Sequence, residues 1–234
     1  MTAIEKAWRE YVVYLAQSYI GCKESDGSHK KIVDLYNSHK PLARGYALKY
    51  TDSWCSGFAS AIAIKAGLTD IIPTEVGCEK HVQLFKNHSV SKWEEDGTKA
   101  PEPGDYIFYN WDKSTQPNDG SADHVGIVER VNNNVITTIE GNYSDSVKRR
   151  TLIVGAGNIR GYGRPAYWTL KTMPPLYERD TSATSTTALL KRGDRNDAVR
   201  ALQNNLISLG YSCGSAGADG DFGSGTETAV RSFQ

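Results

Sequence analysis

The sequence predicts an α+β domain followed by a small helical module. Three observations carry that prediction. Apolar residues recur at helical spacing through the first third of the chain. Short β-rich runs separated by Gly, Asn, Asp and Pro begin near residue 100. A Pro/Ser/Thr-rich stretch near residue 180 then precedes a second amphipathic pattern. At 234 residues there is room for one large domain and an appendage. With 39% hydrophobic and 23% charged residues, the composition is globular rather than disordered. Lys+Arg (27) and Asp+Glu (27) cancel, which argues against nucleic acid as a partner and against stable membrane association. No apolar run approaches the ~18–20 residues that span a bilayer.

The first helix is predicted in IEKAWREYVVYLAQSYIG, with Ile4, Ala7, Trp8, Tyr11, Val12, Leu15, Ala16 and Tyr19 on its apolar face and Gly21 at its end. A second covers about His29–Tyr36. A third is expected in TDSWCSGFASAIAIKAGL, with Thr51 or Asp52 as N-cap and Gly67 as the stop. The β-rich runs are PEPGDYIFYNW, HVGIVERV and VITTIEGN. Residues 1–170 form the expected main domain, 171–187 a linker, and 188–234 the second domain. In that module DAVRALQNNLISLGY places Val199, Leu202, Leu206 and Leu209 on one helical face, and SGTETAVRSFQ reads as a further helix.

Four cysteines stand at 22, 55, 78 and 213, with no CxxC pair. That scatter suits a reducing compartment. The start, MTAIEKAWRE, lacks the basic, apolar and cleavage regions of an export signal, so no such signal is expected. Cys78, His81 and His88 offer no second ligand pair for tetrahedral zinc, and no metal or other cofactor is expected. Cys22 and Cys213 read as packing residues, His29 and His39 as exposed bystanders, and Asp105 as a turn carboxylate.

Cys55 opens the third helix. A helix N-terminus stabilises a thiolate, the form that attacks carbonyls, and its free amides can cradle an oxyanion. His124 begins the strand HVGIVERV, which turns back near Asn132–Asn134 into VITTIEGN. A three-residue loop at Asn132–Asn134 sets His124 opposite Asn142 with Glu140 diagonal. A loop at Val131–Asn133 sets it opposite Glu140. A two-residue loop puts His124 on the wrong face. In the first two registers an imidazole and an orienting group share one face, the arrangement a thiolate needs in a base. Trp54, Tyr109 and Trp111 flank this set and are candidate substrate contacts.

The ordered motifs WCSGF, PGDYIFYNW, DHVGIVERV and TIEGN resemble the CHAP family of cysteine, histidine-dependent amidohydrolases/peptidases, relatives of the NlpC/P60 and papain-like hydrolases. The resemblance implies Cys55 as nucleophile, His124 as base, Glu140 as orienting residue and Asn142 as a support. It also implies a small antiparallel sheet packed on the nucleophile helix. Some phage members carry an Asp-rich calcium loop before the nucleophile; in PLARGYALKYTDSWC the only carboxylate is Asp52, so none is expected here. VRALQNNLISLGY, DGDFG and TAVRSFQ resemble the three-helix "type 1" peptidoglycan-binding domain, which ends here directly after its FQ signature. Together these resemblances imply a peptidoglycan hydrolase of the endolysin kind, made in the bacterial cytoplasm without a signal peptide and acting at the wall after release. An N-acetylmuramoyl-L-alanine amidase is favoured over a stem-peptide or cross-bridge endopeptidase. An inactive wall-binding protein is the alternative of another class. No oligomeric state is read from the sequence.

Overall fold

The computed structural model describes residues 1–175, 190–208 and 210–233. Two compact units divide the chain, Met1–Ser182 and Ala183–Gln234. From residue 176 onward the expected linker lies outside the described residues, as does Leu209.

Helix α1 (Ala3–Gln17) starts where Thr2 Oγ1 accepts the Glu5 amide at 3.1 Å. It buries Ala7, Trp8, Val12, Leu15 and Ala16. It stops before Gly21, because Ser18 Oγ donates to Leu15 O and closes the last turn. Arg9 on its inner face donates to Asp105 Oδ1 at 2.8 Å and to Pro103 O. Asp105 also accepts the Glu102 amide, so the turn carboxylate additionally ties the sheet to α1. Helix α2 (Lys30–Ser38) buries Ile32, Val33 and Tyr36.

Helix α3 (Cys55–Ala66) is apolar on nearly every side and sits at the centre of the unit. It ends at Gly67 in the left-handed region, as expected. Its N-cap is Trp54, not Thr51 or Asp52, and no side chain caps it. Asp52 is committed elsewhere, accepting the Lys49 amide and the Tyr46 hydroxyl. A helix not anticipated from sequence, α4 (Cys78–Lys86), follows.

Six strands form one antiparallel sheet in the order β1-β6-β2-β3-β4-β5: β1 (Lys92–Glu94), β2 (Tyr106–Tyr109), β3 (His124–Asn132), β4 (Val135–Glu140), β5 (Lys148–Ile153) and β6 (Ile159–Arg164). One face sends Tyr106, Phe108, Val125, Ile127 and Ile139 into the main core with α1 and α3. The other face carries a second cluster of Ile107, Tyr109, Val128, Ile136, Ile159 and Tyr162.

The second unit holds α5 (Asp197–Ser208) and α6 (Ser224–Phe233), two helices of the expected three among the described residues. Leu206, Cys213 and Ala229 form its core. Buried Gln203 on α5 donates to Asp219 Oδ1, Asp221 O and Thr226 Oγ1 and accepts the Gly220 amide at 2.7 Å. That one side chain explains why the LQ and DGDFG motifs occur together.

Candidate active site

Cys55 is the first residue of α3. The helix packs so closely on the sheet that a Cβ on Gly141 would lie 2.3 Å from Phe58 Cβ. Only glycine lets the end of β4 pass the first turn of α3 at that distance, which brings Glu140 and Asn142 to the level of Cys55.

The β3–β4 hairpin reaches the required face by an unexpected route. Its loop is the two-residue Asn133–Asn134, both with positive φ (47° and 68°), a turn in which asparagine is tolerated. Asn132 pairs with Val135 and Arg130 with Thr137. Continued unbroken, that register would turn His124 away. A bulge lies between Val128 and Arg130, after which Val128 pairs with Thr138 and Ile127 with Ile139. The extra residue reverses the alternation and returns His124 to the face of Glu140. The bulged Glu129 is held by Arg149 at 2.7 and 2.8 Å, by Arg130 and by Gln17.

Glu140 is fully buried. Its Oε2 accepts His124 Nε2–H at 3.1 Å, its Oε1 accepts the Tyr109 hydroxyl (2.8 Å) and Thr138 hydroxyl (2.7 Å), and Arg150 Nε–H lies 3.0 Å from both oxygens. A carboxylate only accepts, so the Nε2 proton is fixed and Nδ1 is left to face Cys55. Gly126 makes room for this: a Cβ there would meet Glu140 Cγ at 2.7 Å. Gly126→Ala is expected to displace the carboxylate, cost about 1–3 kcal/mol in thermal unfolding, and lower the His124 pKa, read by NMR titration.

The Cys55 thiol is held well below the ordinary thiol range, first by a hydrogen bond with Cys78 and then by His124 and the Ser56 amide, against the opposing effect of burial. Cys78 opens α4, and its sulfur lies 3.4 Å from Cys55 Sγ. The Cys78 thiol is pushed well up by the same contact and by burial, which favours the proton on Cys78 and the charge on Cys55. Burial works to lower His124, but Cys55 and Glu140 outweigh it and raise it to about 9. Glu140 itself is lowered; burial opposes, while His124 and Arg150 hold the charge. Both shifts favour the thiolate–imidazolium form of the pair, with the imidazole oriented by a carboxylate.

Ser56 and Ser60 on α3 both donate to Glu75 O, and Ser56 Oγ meets His81 Nδ1 at 2.9 Å. These bonds fix the approach of α4 to α3 and so place Cys78. Burial pushes His81 down to about 4, so it stays neutral. Among the described residues no group of three or more His, Cys, Asp or Glu is placed to hold a metal ion.

Of the expected substrate contacts, Trp111 alone is open. It lines a cleft of about 340 Å³ with His124, Asn142, Tyr143, Ser144 and Arg150. Trp54 is fully buried; its indole donates to Glu24 and packs on His29, which is itself buried against expectation. Tyr109 is also buried, stacked beneath Trp111 at 4.9 Å with its hydroxyl on Glu140. Asn142 adopts positive φ beside the cleft, and its buried Oδ1 has no partner and makes no bond to His124. Cys55 keeps 5% of its surface, deeper than the sequence suggested.

Residues 45–142 match the model of the CHAP domain, and residues 195–234 that of a putative peptidoglycan binding domain. Over 62 residues the chain is 44% identical to the type VI secretion system spike protein VgrG3 of Vibrio cholerae, covering 26% of this chain and 6% of that protein. Two solved structures of Ly7917, one with the hydrolyzing product of MDP, are 18% and 17% identical. Each covers 48% of this chain and 53% of its own, at a TM-score of 0.31, too low to establish a shared fold.

Proposed function

We propose that this chain, which carries a CHAP domain followed by a peptidoglycan binding domain, is a cell-wall peptidoglycan hydrolase that cleaves an amide bond through Cys55. The observation that carries the reading is the oriented pair: His124 fixed by Glu140 at 3.1 Å and facing a thiol held in its charged form. The thiolate attacks the amide carbonyl, and the developing oxyanion is stabilised by the uncapped first-turn amides of α3. His124 donates its proton to the leaving nitrogen as the C–N bond breaks. It then takes a proton from water, which hydrolyses the thioester and regenerates Cys55. Tyr109, Thr138 and Arg150 act on Glu140, and through it on His124. Trp111 and Asn142 border the cleft in which the wall fragment lies.

The bond is that between the lactyl group and L-alanine, making the enzyme an N-acetylmuramoyl-L-alanine amidase; the setting is that of an endolysin, made in the bacterial cytoplasm and acting at the wall. Support comes from the pairing of a catalytic with a wall-binding domain, which raises the concentration of catalyst at an insoluble substrate. Purified walls should clear and release amino groups without new reducing ends. Mass spectrometry should find free lactyl carboxylates; fragments cut within the stem or cross-bridge would make the enzyme an endopeptidase, and uncleared walls would leave only the binding role.

The pH profile follows from the pair. Activity requires the Cys55 thiolate and the His124 imidazolium together. kcat/KM is expected to hold through neutral pH and fall as pH rises through about 9, where the imidazolium loses its proton. An upper limb near the ordinary histidine value would contradict the assignment.

A further inference from the structure

The two sulfurs at the heads of α3 and α4 form an arrangement that can do more than stabilise the nucleophile. Cys55 and Cys78 are each the first residue of a helix, 23 residues apart in sequence and 3.4 Å apart in space. Their approach is built in, because Ser56, Ser60, Glu75 and His81 bind the two helix starts together. Closing to a disulfide needs the sulfurs to approach by about a further 1.4 Å. Cys22 and Cys213, though buried, have no such neighbour among the described residues.

The geometry points to Cys55 and Cys78 as a peroxide-reactive dithiol, in which oxidation of Cys55 is captured by Cys78 as a reversible disulfide. The Cys55 thiolate attacks the O–O bond of a hydroperoxide. An S–O bond forms, the alcohol or water leaves with the proton of the His124 imidazolium, and the sulfur is oxidised by two electrons to a sulfenic acid. Cys78 then attacks that sulfur. The S–S bond forms, the S–O bond breaks, and hydroxide departs with the Cys78 proton as water. A dithiol reductant returns two electrons and restores both thiols. The thiolate character that suits Cys55 to attack carbonyls also exposes it to oxidation, and Cys78 halts that oxidation short of the irreversible sulfinic acid. The oxidised enzyme has no nucleophile.

The test uses the full chain, reduced, desalted and exposed to a few equivalents of hydrogen peroxide. Intact mass is expected to fall by two hydrogens, and non-reducing peptide mapping to link Cys55 to Cys78. Wall clearing should drop at least about tenfold and return with dithiothreitol. In Cys78→Ser the same dose should give a dimedone-trappable sulfenate, then a sulfinate, and clearing that dithiothreitol does not restore. A wild-type protein carrying a Cys55 sulfinate and no Cys55–Cys78 link would overturn the proposal, as would full recovery of Cys78→Ser. The link is read by mass alone, so its formation in a protein that clears no walls would refute the hydrolase reading and leave the dithiol standing.

Discussion

Cys55→Ala abolishes wall hydrolysis, with a loss on the order of 10⁴-fold or more in kcat. The size follows from the chemistry: with no sulfur there is no acyl-enzyme, and His124 has no nucleophile to activate. The fold should survive. Cys55 is one small side chain in the main core, and trimming it costs about 1 kcal/mol, read as a modest shift in Tm. Cys78 does not replace it: with the Cys55 contact gone, burial still pushes its thiol up. The variant should still sediment with walls, since the peptidoglycan binding domain is a separate match at residues 195–234. Retained binding with lost clearing separates the enzyme from an inactive wall-binding protein, whose behaviour Cys55→Ala would leave unchanged.

Glu140→Gln is expected to cost about 10²–10⁴-fold in kcat/KM with the chain still folded. The carboxylate receives donors from His124, Tyr109, Thr138 and Arg150. An amide replaces one acceptor oxygen with a donor, so at least one of those contacts becomes donor against donor. Where the amide nitrogen faces the imidazole, His124 must accept at Nε2, and its proton moves to Nδ1. That tautomer cannot take a proton from Cys55. Loss of the charge also removes one of the two groups that raise His124 to about 9, so the upper limb of the pH profile moves to lower pH. Breaking this buried network should also destabilise the domain by about 3 kcal/mol, read by denaturant unfolding. An unshifted upper limb would show that Glu140 does not set the state of His124.

The residues to which we assign the chemistry were legible because each is marked by type and local position. Cys55 heads a helix, His124 opens a strand, and Glu140 closes the next. The path between them was not legible. The loop Asn133–Asn134 has the two-residue length that sequence reasoning took to break the site, and the bulge at Glu129 that repairs it leaves no mark in a run reading HVGIVERV. Gln17 of α1 and Arg149 of β5 hold that bulge, and such long-range partners are not encoded locally. The edge strands β1 and β5 were missed because they are short or polar, and β6 because its glycines mask its alternation. Trp54 and Tyr109 were placed on the substrate side because proximity in sequence does not reveal direction. Trp54 turns into the core from the N-cap, and Tyr109 lies one layer beneath Trp111. Helix α4 did leave a signal, with Glu79 in its first turn and Val82 and Phe85 at helical spacing, but only the fold sets Cys78 against Cys55.

The most direct measurement is the pH dependence of Cys55 alkylation by iodoacetamide in the native chain, followed residue by residue by mass spectrometry. The midpoint is the quantity that counts, since burial slows the rate at every pH alike. An ion-paired thiolate predicts a rate already level at neutral pH, with a midpoint well below the ordinary thiol range that rises in His124→Ala. A Cys55 rate that climbs through pH 8–9 as an ordinary thiol does, and is indifferent to His124, would contradict the account.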